Sequence, residues 1–363
     1  MKAGERITKY VMLNNDGTIT LSIERSLFFE KGSMNYDKVL NEFGDFEIIS
    51  LNSKPYSDYI NITLRRSDFS YAEDITRGLD FLSISKSEVK DYYKITPNNF
   101  LCLSEYWIAY AWSLISSRNL YLTDKLIIIH IDDHKDLMPP FIGSYKGCFK
   151  DLLTNRVVSF SESELLKNAV KSGAITIGSM LIPIVYSAKE VIILHLKQSK
   201  VDFKAYSMVK AVQEYPILGK NANRICVNLE KRSFIDSDSK LFYLQSSNIE
   251  SLIPFITADS EIVLHIDMDY FNNRYNGSTD WKSNNSIHNP ELKKQKEVMK
   301  TLCEKLGYIN HKYPIHYVFV GISPSFYPVE FWQEGLTYLF NELILNRINI
   351  RDLLKVAKID ICY

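Results

Sequence analysis

Two short acidic motifs carry most of the chemistry available to this chain. The first reads Ile131-Asp132-Asp133-His134-Lys135-Asp136, a D-x-H-x-D pattern formed by Asp132, His134 and Asp136. The second, Ile266-Asp267-Met268-Asp269, is a D-x-D pattern. Their motif positions offer four carboxylates and one imidazole. Carboxylates held this close repel one another and take up protons unless a cation neutralises them. An oxygen and nitrogen donor set without thiolate suits Mn²⁺ better than a structural zinc site. Two adjacent divalent ions would acidify a shared water and clamp the charge of a hydrolytic transition state. A lone D-x-D after a strand often only caps the next helix. Both motifs together, each directly after a buried strand, favour metal.

The elements that must position these residues are legible as apolar runs. Segment 126–131 (LIIIHI) ends at the first motif and 262–266 (IVLHI) at the second. Similar runs stand at 191–196, 225–229 and 317–322. Solid apolar runs of this length read as parallel strands buried on both faces. Helices are expected at 106–116, 162–171, 206–214 and 291–306. Strands alternating with helices give a mostly parallel sheet covered by helices, with ligands bound outside the carboxyl ends of the strands. Both motifs then share one rim. His130 and His265 each precede a motif aspartate by two residues, and alternation points His130 to the same side as Asp132. Two readings stay open for them and for His195, at the end of another strand: groups that orient ligands, or satisfied core residues. His288, His311 and His316 stand in polar surroundings that suggest no role.

The remainder of the sequence narrows the class. Lys plus Arg balance Asp plus Glu at 43 each in 363 residues, which argues against a general polyanion binder such as a nucleic-acid-binding protein and leaves room only for a local basic groove. Five widely spaced cysteines without a C-x-x-C pair read as reduced thiols, and no apolar run reaches membrane-spanning length. Residues 1–8 lack the apolar core of a signal peptide, so a cytoplasmic location is expected. Residues 1–95 differ from the rest. Asn15-Asp16-Gly17 is a turn signal between short strands at 10–13 and 18–23, with further strands at 47–51 and 59–64. This reads as an N-terminal β-rich extension, possessing substrate-binding potential, ahead of an α/β catalytic domain at 96–363.

The motifs resemble those of the ureohydrolase superfamily of arginases, agmatinases and, more distantly, histone deacetylases. Within it the chain is most similar to an atypical branch that includes the peptide arginases, which convert arginine to ornithine in ribosomally made peptides. The similarity rests on His130-Ile131-Asp132-Asp133-His134-Lys135-Asp136-Leu137, Ile177-Gly178-Ser179-Met180-Leu181-Ile182-Pro183, His265-Ile266-Asp267-Met268-Asp269-Tyr270-Phe271 and Ser323-Pro324-Ser325-Phe326. It implies a three-layer α/β/α arginase-like fold and two Mn²⁺ per chain. Asp132 and Asp267 would bridge the ions, His134 and Asp269 would serve one, and Asp136 the other. Catalytic work would fall to His134 and Asp136, with Asp136 passing a proton to the leaving amine. The implied reaction yields ornithine and urea from an arginine-containing precursor peptide, without nucleic acid or membrane as partner.

The departures from arginases are specific. Their helix-borne histidine ligand has no counterpart in Leu103-Ser104-Glu105-Tyr106-Trp107. Glu105 is either its substitute or an acid favoured at a helix start that Ser104 caps. The arginase glutamate that faces the guanidinium is missing near Gly321-Ile322-Ser323-Pro324, which leaves Glu330 and Glu334 downstream as candidates for substrate binding. The loop after the first motif, Leu137-Met138-Pro139-Pro140-Phe141-Ile142, is apolar and suits a peptide better than a zwitterion. Hydrolysis of another C–N bond, in a small amidine or an acyl-lysine, and a metal-stabilised binding protein without turnover both remain as alternatives.

Overall fold

In the computed structural model the described residues are 11–14, 18–30, 33–35, 38–39, 43, 46–53, 58–66, 73–118, 125–145, 147–218, 222–233, 240–277, 282 and 288–359. A nine-stranded sheet organises the chain. Its centre is a parallel set in the spatial order Leu241–Ser246, Glu190–Leu196, Lys125–Ile131, Glu261–Asp267, Tyr317–Gly321 and Asn99–Cys102. Antiparallel strands close both edges: Lys204–Glu214 and Asn223–Arg232 on one side, Tyr93–Ile95 on the other.

Alternation along the central strands builds two cores. Leu126 and Ile128 join Val191, Ile193 and Val263 under the helices Tyr106–Arg118, Ser163–Ser172 and Ile182–Ser187. Ile127, Ile129 and Ile131 join Leu264, Ile266 and Val320 under Leu292–Lys312, Trp332–Leu345 and Arg351–Ala357. The strands are apolar on both faces because helices cover both, which gives three layers. The expected helices at 106–116, 162–171 and 291–306 are present with slightly different ends.

The expected helix at 206–214 is instead the strand Lys204–Glu214. Its Ala, Met, Lys, Gln and Glu content favours a helix locally. Pairing with Asn223–Arg232 from Ala205↔Arg232 to Glu214↔Asn223, and with Leu241–Ser246 on its other side, overrides that preference. The run at 225–229 is correspondingly antiparallel rather than part of the parallel centre. The strand Leu241–Ser246 takes that central place, which the sequence pattern did not mark.

Ahead of this unit, Val11–Leu13, Ile19–Glu24, Tyr59–Arg66 and Phe46–Ser53 form an antiparallel four-stranded sheet. Tyr10 and the Asn15-Asp16-Gly17 turn lie outside the described residues. This sheet shares the first core with the large one, and Phe43 and Phe46 pack on Phe141 at ring distances of 6.3 and 5.7 Å. Helix Thr76–Leu82 lies against Val329 and Trp332, and Tyr93–Ile95 pairs with Asn99–Cys102, so residues from 76 onward pack within the large unit. Among the described residues no helix is long and apolar enough to cross a membrane.

Candidate metal centre

Two neighbouring parallel strands set the site. His130 pairs with His265 and Ile131 with Ile266, so Asp132, one residue past its strand, is level with Asp267, the last of its own. Both chains then turn, and each aspartate holds its turn with one oxygen. Asp132 Oδ1 accepts from the His134 amide at 2.5 Å, and Asp267 Oδ1 from the Asp269 amide at 3.0 Å. Capping therefore uses only one oxygen of each carboxylate. Asp136 follows with φ 51°, a left-handed conformation that costs a non-glycine residue about 1–3 kcal/mol. Its carbonyl accepts from the Leu181 amide at 3.3 Å and Met138 N–H donates to Gly178 O at 2.8 Å. The 177–183 segment thus cradles the first motif's loop.

These turns bring the expected ligands together. Donor atoms of Asp132, His134 and Asp269 lie within 4.8 Å of one another, and so do those of Glu105, Asp132 and Asp136 and those of His130, Asp132 and His265. Asp132 belongs to all three groups. Asp267 stands against Glu105, and its Oδ2 accepts from Ser323 Oγ at 2.8 Å. Glu105 is 4% exposed with its carboxylate turned into the cluster, while Ser104 Oγ makes no hydrogen bond among the described residues and so caps none of their amides.

The electrostatics call for a cation. Burial pushes the carboxyls of Glu105, Asp132, Asp136 and Asp267 well above the usual range, and their mutual repulsion pushes further. Burial alone would lower His134, but contacts with Asp132 and Asp269 outweigh it and hold the imidazole far above its ordinary value. Among the described residues Glu105 Oε1, Asp132 Oδ2, Asp136 Oδ2 and Asp269 Oδ2 are buried without a hydrogen-bond partner. Asp269 Oδ2 is 2.8 Å from His134 Nδ1, a close charge contact rather than a directed bond. Orphaned buried carboxylate oxygens are costly and uncommon. Hard oxygen donors with one or two imidazoles are a donor set that Mn²⁺ accepts.

Beneath the carboxylates lies a row of histidines. His195, His130 and His265 are in register across three adjacent strands and fully buried. His195 Nε2 is 2.9 Å from Asp132 O, His130 Nε2 is 3.2 Å from His134 O, and His265 Nε2 is 2.8 Å from Glu105 Oε1. All three touch residues of the candidate centre, which alternation alone foresaw only for the side His130 faces. Their mutual register was invisible in sequence because it depends on which strands become neighbours.

A cavity of about 560 Å³ opens over the cluster. Glu105, Asp133, His134, Asp136 and Asp267 form its polar floor, with Leu137, Met138, Ile177, Val227, Leu229 and Phe326 as apolar wall and Lys135 and Lys197 also lining it. Phe326 packs on His134 at 4.9 Å between ring centres. Glu330 and Glu334 are not among the cavity walls. Glu330 pairs with Arg274 at 2.5 Å and Glu334 with Lys296 at 3.0 Å, so local cations already occupy both. Asp133, which the sequence reading did not single out for substrate binding, lines the cavity. Its Oδ2 accepts from Asn273 Nδ2 at 2.9 Å, and its place inside the first motif was the available signal. No protein-family model matches the chain, and no curated protein matches it.

Proposed function

We propose that the chain is an arginase-like, Mn²⁺-dependent hydrolase that converts arginine side chains of a ribosomally made peptide to ornithine, releasing urea. The observation that carries this reading is the set of three three-donor groups sharing Asp132, with four carboxylate oxygens left without hydrogen-bond donors among the described residues. Asp132, His134, Asp269 and Asp267 would hold one ion, and Glu105, Asp132, Asp136 and Asp267 the other. When bound, such ions would acidify water and stabilise the oxygen that adds to the guanidinium carbon.

The chain's own residues supply the rest. The acidic floor would attract the guanidinium, and Asp133, outside the ligand set, is a further carboxylate that lines the cavity. Leu137, Met138, Ile177 and Phe326 exclude water and favour a neutral peptide backbone over a zwitterion. Hydrolysis adds the elements of water across the guanidinium carbon and breaks its bond to the side-chain nitrogen. That nitrogen leaves as the ornithine amine and needs a proton. Asp136 lies 4% exposed on the cavity floor, where it can carry one. Incubating the Mn²⁺-loaded protein with arginine-containing peptides and measuring urea, with the peptide mass read alongside, tests the proposal.

A further inference from the structure

Of the three in-register histidines, two have both ring nitrogens engaged. A backbone carbonyl can only accept, so His195 Nε2 donates to Asp132 O at 2.9 Å. Its bare Nδ1 then accepts from the Tyr243 hydroxyl. By the same reasoning His130 Nε2 donates to His134 O at 3.2 Å, which leaves His130 Nδ1 as an acceptor. Among the described residues the group it meets is His265 Nδ1 at 2.8 Å, so His265 Nδ1 carries the hydrogen and donates it. A neutral His265 consequently has a bare lone pair on Nε2. That atom is buried, has no hydrogen-bond partner among the described residues, and faces Glu105 Oε1 at 2.8 Å.

A lone pair facing an ionised carboxylate oxygen at this distance is repulsive unless a cation lies beside both, and a proton on Glu105 would need a hydrogen-bond geometry that neither Glu105 Oε1 nor His265 Nε2 makes among the described residues. A six-coordinate ion with bonds of about 2.1 Å holds neighbouring donors about 3 Å apart, close to the separation seen. Resting on the two-ion reading above, we infer that His265 is itself a metal ligand, serving through Nε2 the ion that Glu105 also holds. The imidazole missing from the helix start is thus supplied from inside a strand, two residues before Asp267. His130 orients it by accepting from its other nitrogen, the usual arrangement around a metal-bound histidine. His130 and His195 themselves have no lone pair to spare.

The test is Mn²⁺ titration of the metal-free protein, with electron spin echo spectroscopy counting directly bound ring nitrogens. The wild-type protein is expected to show two, from His134 and His265. His265→Gln is expected to keep one and to bind the second ion more than about 100-fold more weakly, beyond the 10–100-fold typical of an orienting residue. Wild-type protein showing one bound nitrogen overturns the assignment without recourse to any variant. So does a His265→Gln protein that keeps the wild-type nitrogen count, even with weakened affinity, since His265 would then only orient Glu105. Wild-type protein that binds no Mn²⁺ overturns the metal reading itself and this inference with it.

Discussion

Gly321 and Glu105 occupy space that admits no further atom: a Cβ on Gly321 would lie 2.7 Å from both Cγ and Oε1 of Glu105 and 3.1 Å from its Cδ. Gly321 ends the strand next to Asp267, so the missing side chain is what lets Glu105 lie across the strand end and reach the cluster. Gly321→Ala is expected to cost about 1–3 kcal/mol through overpacking and to weaken one of two Mn²⁺ sites. Adding Glu105→Ala should recover most of that stability, because the clash disappears with the carboxylate. Equal melting losses in the single and double variants would show that the close approach has no energetic content.

The crowded carboxyls make metal binding and pH act together. Their folded-state pKa values are raised, so their contribution to stability is full below the unfolded value of about 4 and is lost as pH rises through the folded values. Bound Mn²⁺ removes that penalty, and fewer protons then need displacing. The melting-temperature gain on adding saturating Mn²⁺ is therefore expected to grow from pH 5 to pH 8. At 100 times the dissociation constant an ion adds about 2.7 kcal/mol. A gain that is constant or shrinks with pH contradicts the picture of competing protons and ions.

Asp267 reports on the same repulsion from the opposite direction. Asp267→Asn keeps an acceptor for the Asp269 amide and turns the other position into an N–H donor, to which Ser323 Oγ can respond as acceptor, while a buried charge is removed. The metal-free variant should be more stable than wild type, on the order of 1–3 kcal/mol, while bound Mn²⁺ and turnover fall sharply. Thermal melts in chelator and metal analysis of the loaded protein measure both. Unchanged metal content would remove Asp267 from the centre.

Much of this arrangement was legible in the sequence, and the limits are physical. The runs at 126–131 and 262–266 announced buried strands, and the residues following them fell on one rim because parallel strands all end there. Glu105 was legible only as an alternative, since its inward turn depends on Gly321, distant in sequence. Lys204–Glu214 was misread because its composition favours a helix while its partners, 223–232 and 241–246, decide for a strand. Glu330 and Glu334 pair with Arg274 and Lys296 and do not line the cavity, which spacing does not reveal.

Phe141 links the N-terminal sheet to the cavity. Its ring packs on Phe43, Phe46 and Tyr215, and Met138, three residues earlier, lines the cavity. Phe141→Ala should cost about 3–5 kcal/mol and raise KM for a peptide more than it lowers kcat. Melting and steady-state kinetics separate these effects. A variant of wild-type stability would mean that the aromatic cluster does not anchor the extension.

The most direct test of the account compares an arginine inside a peptide with free arginine, using the Mn²⁺-loaded protein and measuring urea and product mass together. The account predicts Mn²⁺-dependent urea release, the mass loss of arginine-to-ornithine conversion in the peptide, and a kcat/KM for the peptide orders of magnitude above that for the free amino acid. That advantage would come from remote binding energy positioning the guanidinium. Comparable efficiency on free arginine, or no urea from any arginine-containing peptide at full metal occupancy, would contradict it.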